Sequence, residues 1–190
     1  MEYNLYGDDN SKFLLAIKKK AKKSGIKCKI TQSYEPNKYY LADWESCKVT
    51  KFLPKEYNID FPEPAVVEAT LKVLDKCTLL KGKTVLIIGR GRAVRGLERE
   101  LVNRDATVII AHSKTTAINN LILISDIIIN SAPISINNFP DKEIIIDLLV
   151  RENQYRGDGL LIDGKTIGKM CTDVLVKRME TTNEKEKREH

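Results

Sequence analysis

The chain has 190 residues, room for one sizeable core or one full domain with a small partial one, which excludes a large multidomain enzyme. Hydrophobic residues make up 42% and charged residues 31%, an ordinary globular balance, and no apolar run approaches the roughly 20 residues that span a bilayer. Within a net charge of +6 the basic residues cluster at "KKKAKKSGIKCK" and again in the tail; the lysine cluster reads as a solvated helix face and leaves nucleic acid a minor alternative.

The acidic, polar start "MEYNLYGDDNSKF" has no basic segment followed by an apolar one, so a cytoplasmic protein without a secretory signal is expected. Asp8 to Ser24 reads as a helix: Asp9, Asn10 or Ser11 can cap it, Phe13, Leu14, Ile17 and Ala21 form a stripe, and Gly25 can end it. "IKCKIT" alternates like a strand. From Gln32 to Pro64 the signals mix, with a turn at "SYEPNKYY" and a strand near Cys47 to Leu53. Ala65 to Leu74 has helical spacing behind Pro64. Cys28, Cys47, Cys77 and Cys171 form no CxxC pair and only two histidines accompany them, so reduced thiols and no metal are expected.

A regular alternation follows: strand Thr84 to Gly89, helix Val94 to Val102, strand Thr107 to Ala111, helix Thr116 to Leu123, and strands Asp126 to Asn130 and Glu143 to Leu149. These strands are continuous in Ile, Val and Leu, as in a parallel sheet covered on both faces. The fold class is therefore α/β, a Rossmann-like parallel sheet with helices on both faces plus a small reduced N-terminal α/β region. "GDGLLIDGKTIGKM" reads as a hairpin, Val174 to Met179 as the start of a final helix, and "ETTNEKEKREH" as a disordered tail. The expected division is a substrate-side region over 1–63, a nucleotide-binding domain over 64–179 and the tail over 180–190.

Gly89 and Gly91 fall at the first strand-to-helix turn, where glycine permits a sharp bend and lets a pyrophosphate approach backbone N–H groups. The third glycine of the usual fingerprint is replaced by Val94. The second strand ends in "AHSKT", with no acidic side chain for a ribose diol. Ser113 and Lys114, with Arg90 or Arg92, could instead hold a 2′-phosphate through charge-assisted hydrogen bonds, which favours NADP over NAD. Against this stands a plainer role for His112, Ser113 and Thr115 as caps of the following helix.

At "KGKTVLIIGRGRAV" and "ATVIIAHSKT" the chain resembles the methylenetetrahydrofolate dehydrogenase/cyclohydrolase family, usually called FolD. The family's GRSxxVG turn and CHSxT motif are matched by Gly89, Arg90, Val94, His112, Ser113 and Thr115, with Gly91 in place of the serine and Arg95 in place of the last glycine. "EIIIDLLVR" is similar to VVIDVGINR, which puts Val150 where the family makes a backbone contact on the nicotinamide side. "YGDDNSKFLLAIKKKAKKSGI" is similar to the family's first helix and aligns Lys18 with its catalytic lysine and Leu14 with its active-site tyrosine. In "KFLPKEYNIDF", Asp60 echoes a substrate-binding aspartate. The resemblance implies an NADP-dependent enzyme acting on a folate-type one-carbon substrate, with Lys18 and Asp60 catalytic, and a homodimer. Two alternatives stay open: a degenerate binding or interaction module without turnover, and another NADP-dependent reductase with a smaller substrate.

Overall fold

The computed structural model describes residues 1–36, 38–42, 55–61, 63–136, 139–149, 155 and 157–189, the side chains of Arg92 and Glu189 excepted. The strand expected near Cys47 to Leu53 lies outside these residues. The chain divides into two compact units, one of Met1–Ala65 with Met170–His190 and the other of Val66–Lys169.

In the first unit β1 (Glu2–Tyr6) is the middle strand of a parallel sheet, flanked by β2 (Lys27–Thr31) and β3 (Tyr40–Ala42). A parallel pair needs a crossover, and α1 (Lys12–Lys23) supplies it between β1 and β2. Ser11 Oγ accepts the Leu14 N–H at 3.3 Å as the cap, and Leu14, Ile17 and Ala21 form the buried stripe. Gly25, at φ +73°, ends the helix while the Ile26 N–H returns to the Ala21 carbonyl at 2.9 Å. Neither β1 nor β3 was expected: the N-terminal stretch that holds β1 read as acidic and polar, and β3 has only three residues and begins in "KYY", which looked like part of a turn.

The second unit holds β4 (Thr84–Ile88), β5 (Thr107–Ala111), β6 (Ile127–Asn130), β7 (Ile144–Asp147) and β8 (Leu160–Ile162), all parallel in the order β5-β4-β6-β7-β8. Every residue of β6 and β7 is buried, which accounts for their unbroken isoleucine runs. The flanking helices are α2 (Ala65–Cys77), α3 (Leu97–Val102), α4 (Ile118–Ile124) and the first turns of α5 (Gly164–Glu189). Ile122 of α4 packs with Leu86, Ile88, Ala111, Ile128 and Ile145 in one apolar cluster. The Rossmann-like class holds.

Three expectations are corrected. The helix expected from Val94 is a 3-10 turn over Arg92–Val94 and then the six-residue α3, because Gly96 at φ +86° interrupts the helical path. The hairpin is instead β8, parallel to β7 with Ile144 opposite Leu160, followed directly by α5. The disordered tail is the end of α5, which runs unbroken to Glu189. No glycine or proline follows Gly168, so helix-forming Glu and Lys continue a helix already nucleated by its buried first half. From Met170 onward α5 belongs to the first unit rather than to the nucleotide-type sheet. Tyr3 Oη donates to the Met179 carbonyl at 2.8 Å, Lys20 pairs with Asp173, and Tyr39 Oη donates to Glu186 at 3.0 Å.

Candidate functional site

The chain leaves β4 for β5 on one side and then crosses to β6 on the other, so the strand order reverses between β4 and β6. Beyond the carboxyl ends of such a pair an open α/β sheet has its ligand crevice. Gly89 stands there at φ +117°, with its N–H donating to the Ala111 carbonyl at 2.8 Å. A Cβ on it would run into Ser131 Oγ, so both conformation and space demand glycine. Gly91 is different: its φ is not positive and a Cβ would meet nothing within 4 Å, so the turn is open on that side.

The Val94 N–H donates to the Gly91 carbonyl at 3.2 Å and the Val94 side chain is buried, so this residue closes the turn from inside. Arg90 and Arg95 are exposed beside it. The six-residue α3 starts three residues beyond Val94, so the turn over 89–94, rather than a helix end at Val94, borders the crevice.

After β5 the side chains brace their own turn. The His112 N–H donates to Thr115 Oγ1 at 2.9 Å, and the Lys114 N–H donates to His112 Nδ1 at 3.2 Å. A neutral imidazole that accepts at Nδ1 carries its proton on Nε2. Helix α4 starts only at Ile118, with Ala117 at its cap position and no side-chain cap bond, so these residues are not its caps. Ser113 and Lys114 are exposed, and their side chains have no partner among the described residues.

Three residues of this crevice were not singled out from sequence. Ser131 Oγ donates to the Ile88 carbonyl at 3.0 Å and faces Gly89. Asn130 and Asp147, both 0% exposed, end β6 and β7 side by side, with Asn130 Nδ2 donating to Asp147 Oδ1 at 3.0 Å. The signal was a single polar residue closing each of two all-isoleucine strands, "IIIN" and "IIID". Val150 lies outside the described residues.

Lys18 and Asp60 belong to the first unit, whereas the glycine turn, Ser113 and Ser131 belong to the second. Lys18 is exposed on α1 and acts on the Cys28 thiol, which burial raises to about 11 while the lysine charge pulls the other way. Leu14, one turn earlier on the helix, is completely buried. Asp60 Oδ1 accepts the Ala65 N–H at 2.6 Å, satisfying an amide at the start of α2, and lies 3.8 Å from Arg178 Nη1. Asp60 also adds to the effect of burial on Cys171, whose thiol is pushed up to about 12. Cys28, Cys77 and Cys171 are free thiols. Among the described residues no group of three His, Cys, Asp or Glu could hold a metal ion, and no helix is long and apolar enough to cross a membrane.

The profile of the tetrahydrofolate dehydrogenase/cyclohydrolase NAD(P)-binding domain matches residues 64–185. A bifunctional protein FolD from Petrotoga mobilis is 27% identical over 178 residues, covering 89% of this chain and 60% of that protein. One from Picrophilus torridus is 34% identical over 116 residues, covering 57% of this chain and 38% of that protein. The chain thus spans 60% or less of these relatives' length. A Trypanosoma brucei methylenetetrahydrofolate dehydrogenase-cyclohydrolase, solved with NADP and an inhibitor, superposes with a TM-score of 0.76 at 17% identity, covering 98% of this chain and 87% of that one. A shikimate dehydrogenase from Peptoclostridium difficile gives 0.61 at 12% identity, covering 96% of this chain and 92% of that one. At these identities the superpositions report a shared fold.

Proposed function

The chain belongs to the tetrahydrofolate dehydrogenase/cyclohydrolase family, and from that membership we propose that it is an NADP-dependent 5,10-methylenetetrahydrofolate dehydrogenase/methenyltetrahydrofolate cyclohydrolase. The observation that carries this reading is the second unit's crevice: a turn that only glycine can make at Gly89, open at Gly91, beside a braced turn presenting Ser113 and Lys114. These residues fit a nicotinamide dinucleotide. Backbone of the 89–94 turn would face the pyrophosphate, while Ser113, Lys114 and Arg90 would hold the 2′-phosphate. No carboxylate ends β5 to repel it.

NADP supplies a nicotinamide carbon that accepts hydride from the substrate's methylene carbon. The chain's part is to hold the two reacting carbons in contact and to keep competing water away. By the resemblance of α1 to the family's first helix we assign Lys18 to water and proton handling in the hydrolytic step, and Asp60, by its resemblance to a family aspartate, to substrate. Val150 is assigned a backbone contact with the nicotinamide. The expected context is a cytoplasmic homodimer.

A second reading, a nucleotide-binding or interaction module without turnover, is favoured by two observations. Leu14, at the family tyrosine position, is a core residue. Asp60 is engaged by Ala65 and Arg178.

Calorimetric titration with NADP and NAD, each repeated with tetrahydrofolate, separates the readings. NADP binding strengthened by folate is expected for the enzyme, and no binding of either cofactor would leave the module. In Arg90→Ala with Ser113→Ala, affinity for NADP should fall about tenfold more than affinity for NAD. Equal losses would remove the 2′-phosphate assignment. In the companion activity assay Lys18→Met should abolish methenyl hydrolysis with cofactor binding kept, and unchanged hydrolysis would leave Lys18 a surface lysine without a catalytic role.

A further inference from the structure

Burying a carboxylate is costly even when it is hydrogen-bonded, and an aliphatic side chain would suit the core position of Asp147 better. What the Asn130–Asp147 pair supplies is geometry. Each member takes an amide from the loop that leaves its strand: the Ala132 N–H donates to Asn130 Oδ1 at 3.1 Å, and the Leu149 N–H to Asp147 Oδ1 at 3.4 Å. The Leu148 N–H donates to the Asn130 carbonyl at 2.8 Å, tying the β7 loop back to β6. On the other side the Ser131 N–H donates to the Ile88 carbonyl at 2.8 Å, so the β6 loop is anchored to β4 as well. The β7 loop rests on the first residue of α5, where a Cβ on Gly164 would lie 2.6 Å from the Leu149 carbonyl oxygen.

We infer that Asn130 and Asp147 are positioning residues for the nicotinamide half of the bound dinucleotide, acting through the backbone of Ser131–Ala132 and Leu148–Leu149. The inference rests on the cofactor reading above. A dinucleotide crossing a switch point places one mononucleotide on each side of it. With the adenosine end at the turn after β5, the other half falls beyond β6 and β7. Both side chains are 0% exposed, so neither can touch the ligand itself. They act by holding two loops at one spacing.

The test uses the full chain and two probes: NADP, and adenosine 2′,5′-bisphosphate, which lacks the nicotinamide half, measured by displacement of reduced NADP. Asn130→Ala removes both the donor to Asp147 and the acceptor for Ala132. It should weaken NADP about tenfold and leave the bisphosphate within about twofold. Exchanging the two residues, Asn130→Asp with Asp147→Asn, rebuilds the bond with its direction reversed and should restore NADP affinity. Should Asn130→Ala fail to fold, Asn130→Ser, too short to reach Asp147, is read against the same two probes. Unchanged NADP affinity, or equal loss of both probes, overturns the positioning role while the cofactor reading stands. A wild-type chain that binds neither probe overturns the cofactor reading, and this inference with it.

Discussion

At Gly89 and Gly91 two identical residues in one short motif carry different constraints. Gly89 has positive φ and a neighbouring hydroxyl where its Cβ would be, whereas Gly91 has neither. Gly89→Ala is expected to cost about 1–3 kcal/mol through strain and collision, and Gly91→Ala less than about 1 kcal/mol. Thermal unfolding of both variants reads this difference, and equal midpoints would contradict it. The sequence pointed to both glycines as a turn but could not rank them, because Ser131 reaches Gly89 from β6. Asp60 was equally half-legible. Its carboxylate was visible in "NIDF", but its engagement by the Ala65 amide and by Arg178 depends on where α2 and α5 run.

At the scale of elements, local pattern located α1, α2 and the four longer strands of the sheet well, because each buries a face or stripe made by its own residues. It misread α5. Two glycines, Gly164 and Gly168, sit near its start, and its last turns carry no apolar residue, so neither end looked like part of one helix. The middle of the element decides the matter: Cys171, Val174, Leu175 and Met179 are buried. Burial of one large aliphatic side chain contributes about 1.5–3 kcal/mol, against a total domain stability of roughly 5–15 kcal/mol. Truncation after Lys169 removes these residues together with Arg178 and the carbonyl that receives Tyr3 Oη. The first unit is then expected to lose its fold. Hydrogen exchange at the β1 amides should become fast, and retained protection there would show that α5 is dispensable.

For the whole molecule, the two units have different claims on function. The unit from Val66 to Lys169 contains a complete five-stranded parallel sheet with the crevice geometry of a dinucleotide site. The first unit has, among the described residues, the parallel sheet β2-β1-β3, and it carries Lys18 and Asp60. The proposed homodimer belongs to this scale. Strands β5 and β8 are the edges of the larger sheet, and each exposes an aliphatic residue, Ile110 at 37% and Leu160 at 48%. An unpaired edge with apolar side chains is a surface that self-association can cover. Sedimentation velocity should report twice the chain mass, and Leu160→Lys should shift it to the monomer if the β8 edge forms the contact. A wild-type monomer would remove the dimer from the reading.

The amino-acid sequence alone determined the parallel α/β class, the place of the glycine turn and the family. All three rest on signals carried by neighbouring residues: strands apolar on both faces, glycine where a strand must turn, and motifs read in a row. Only the tertiary structure decided which glycine is obligatory, that Asn130 and Asp147 form a buried pair, and that α5 belongs partly to the N-terminal unit. The strand order β5-β4-β6-β7-β8 explains the difference. It brings together strand ends and loops far apart in the chain, and a hydrogen bond between them leaves no periodic trace in either segment.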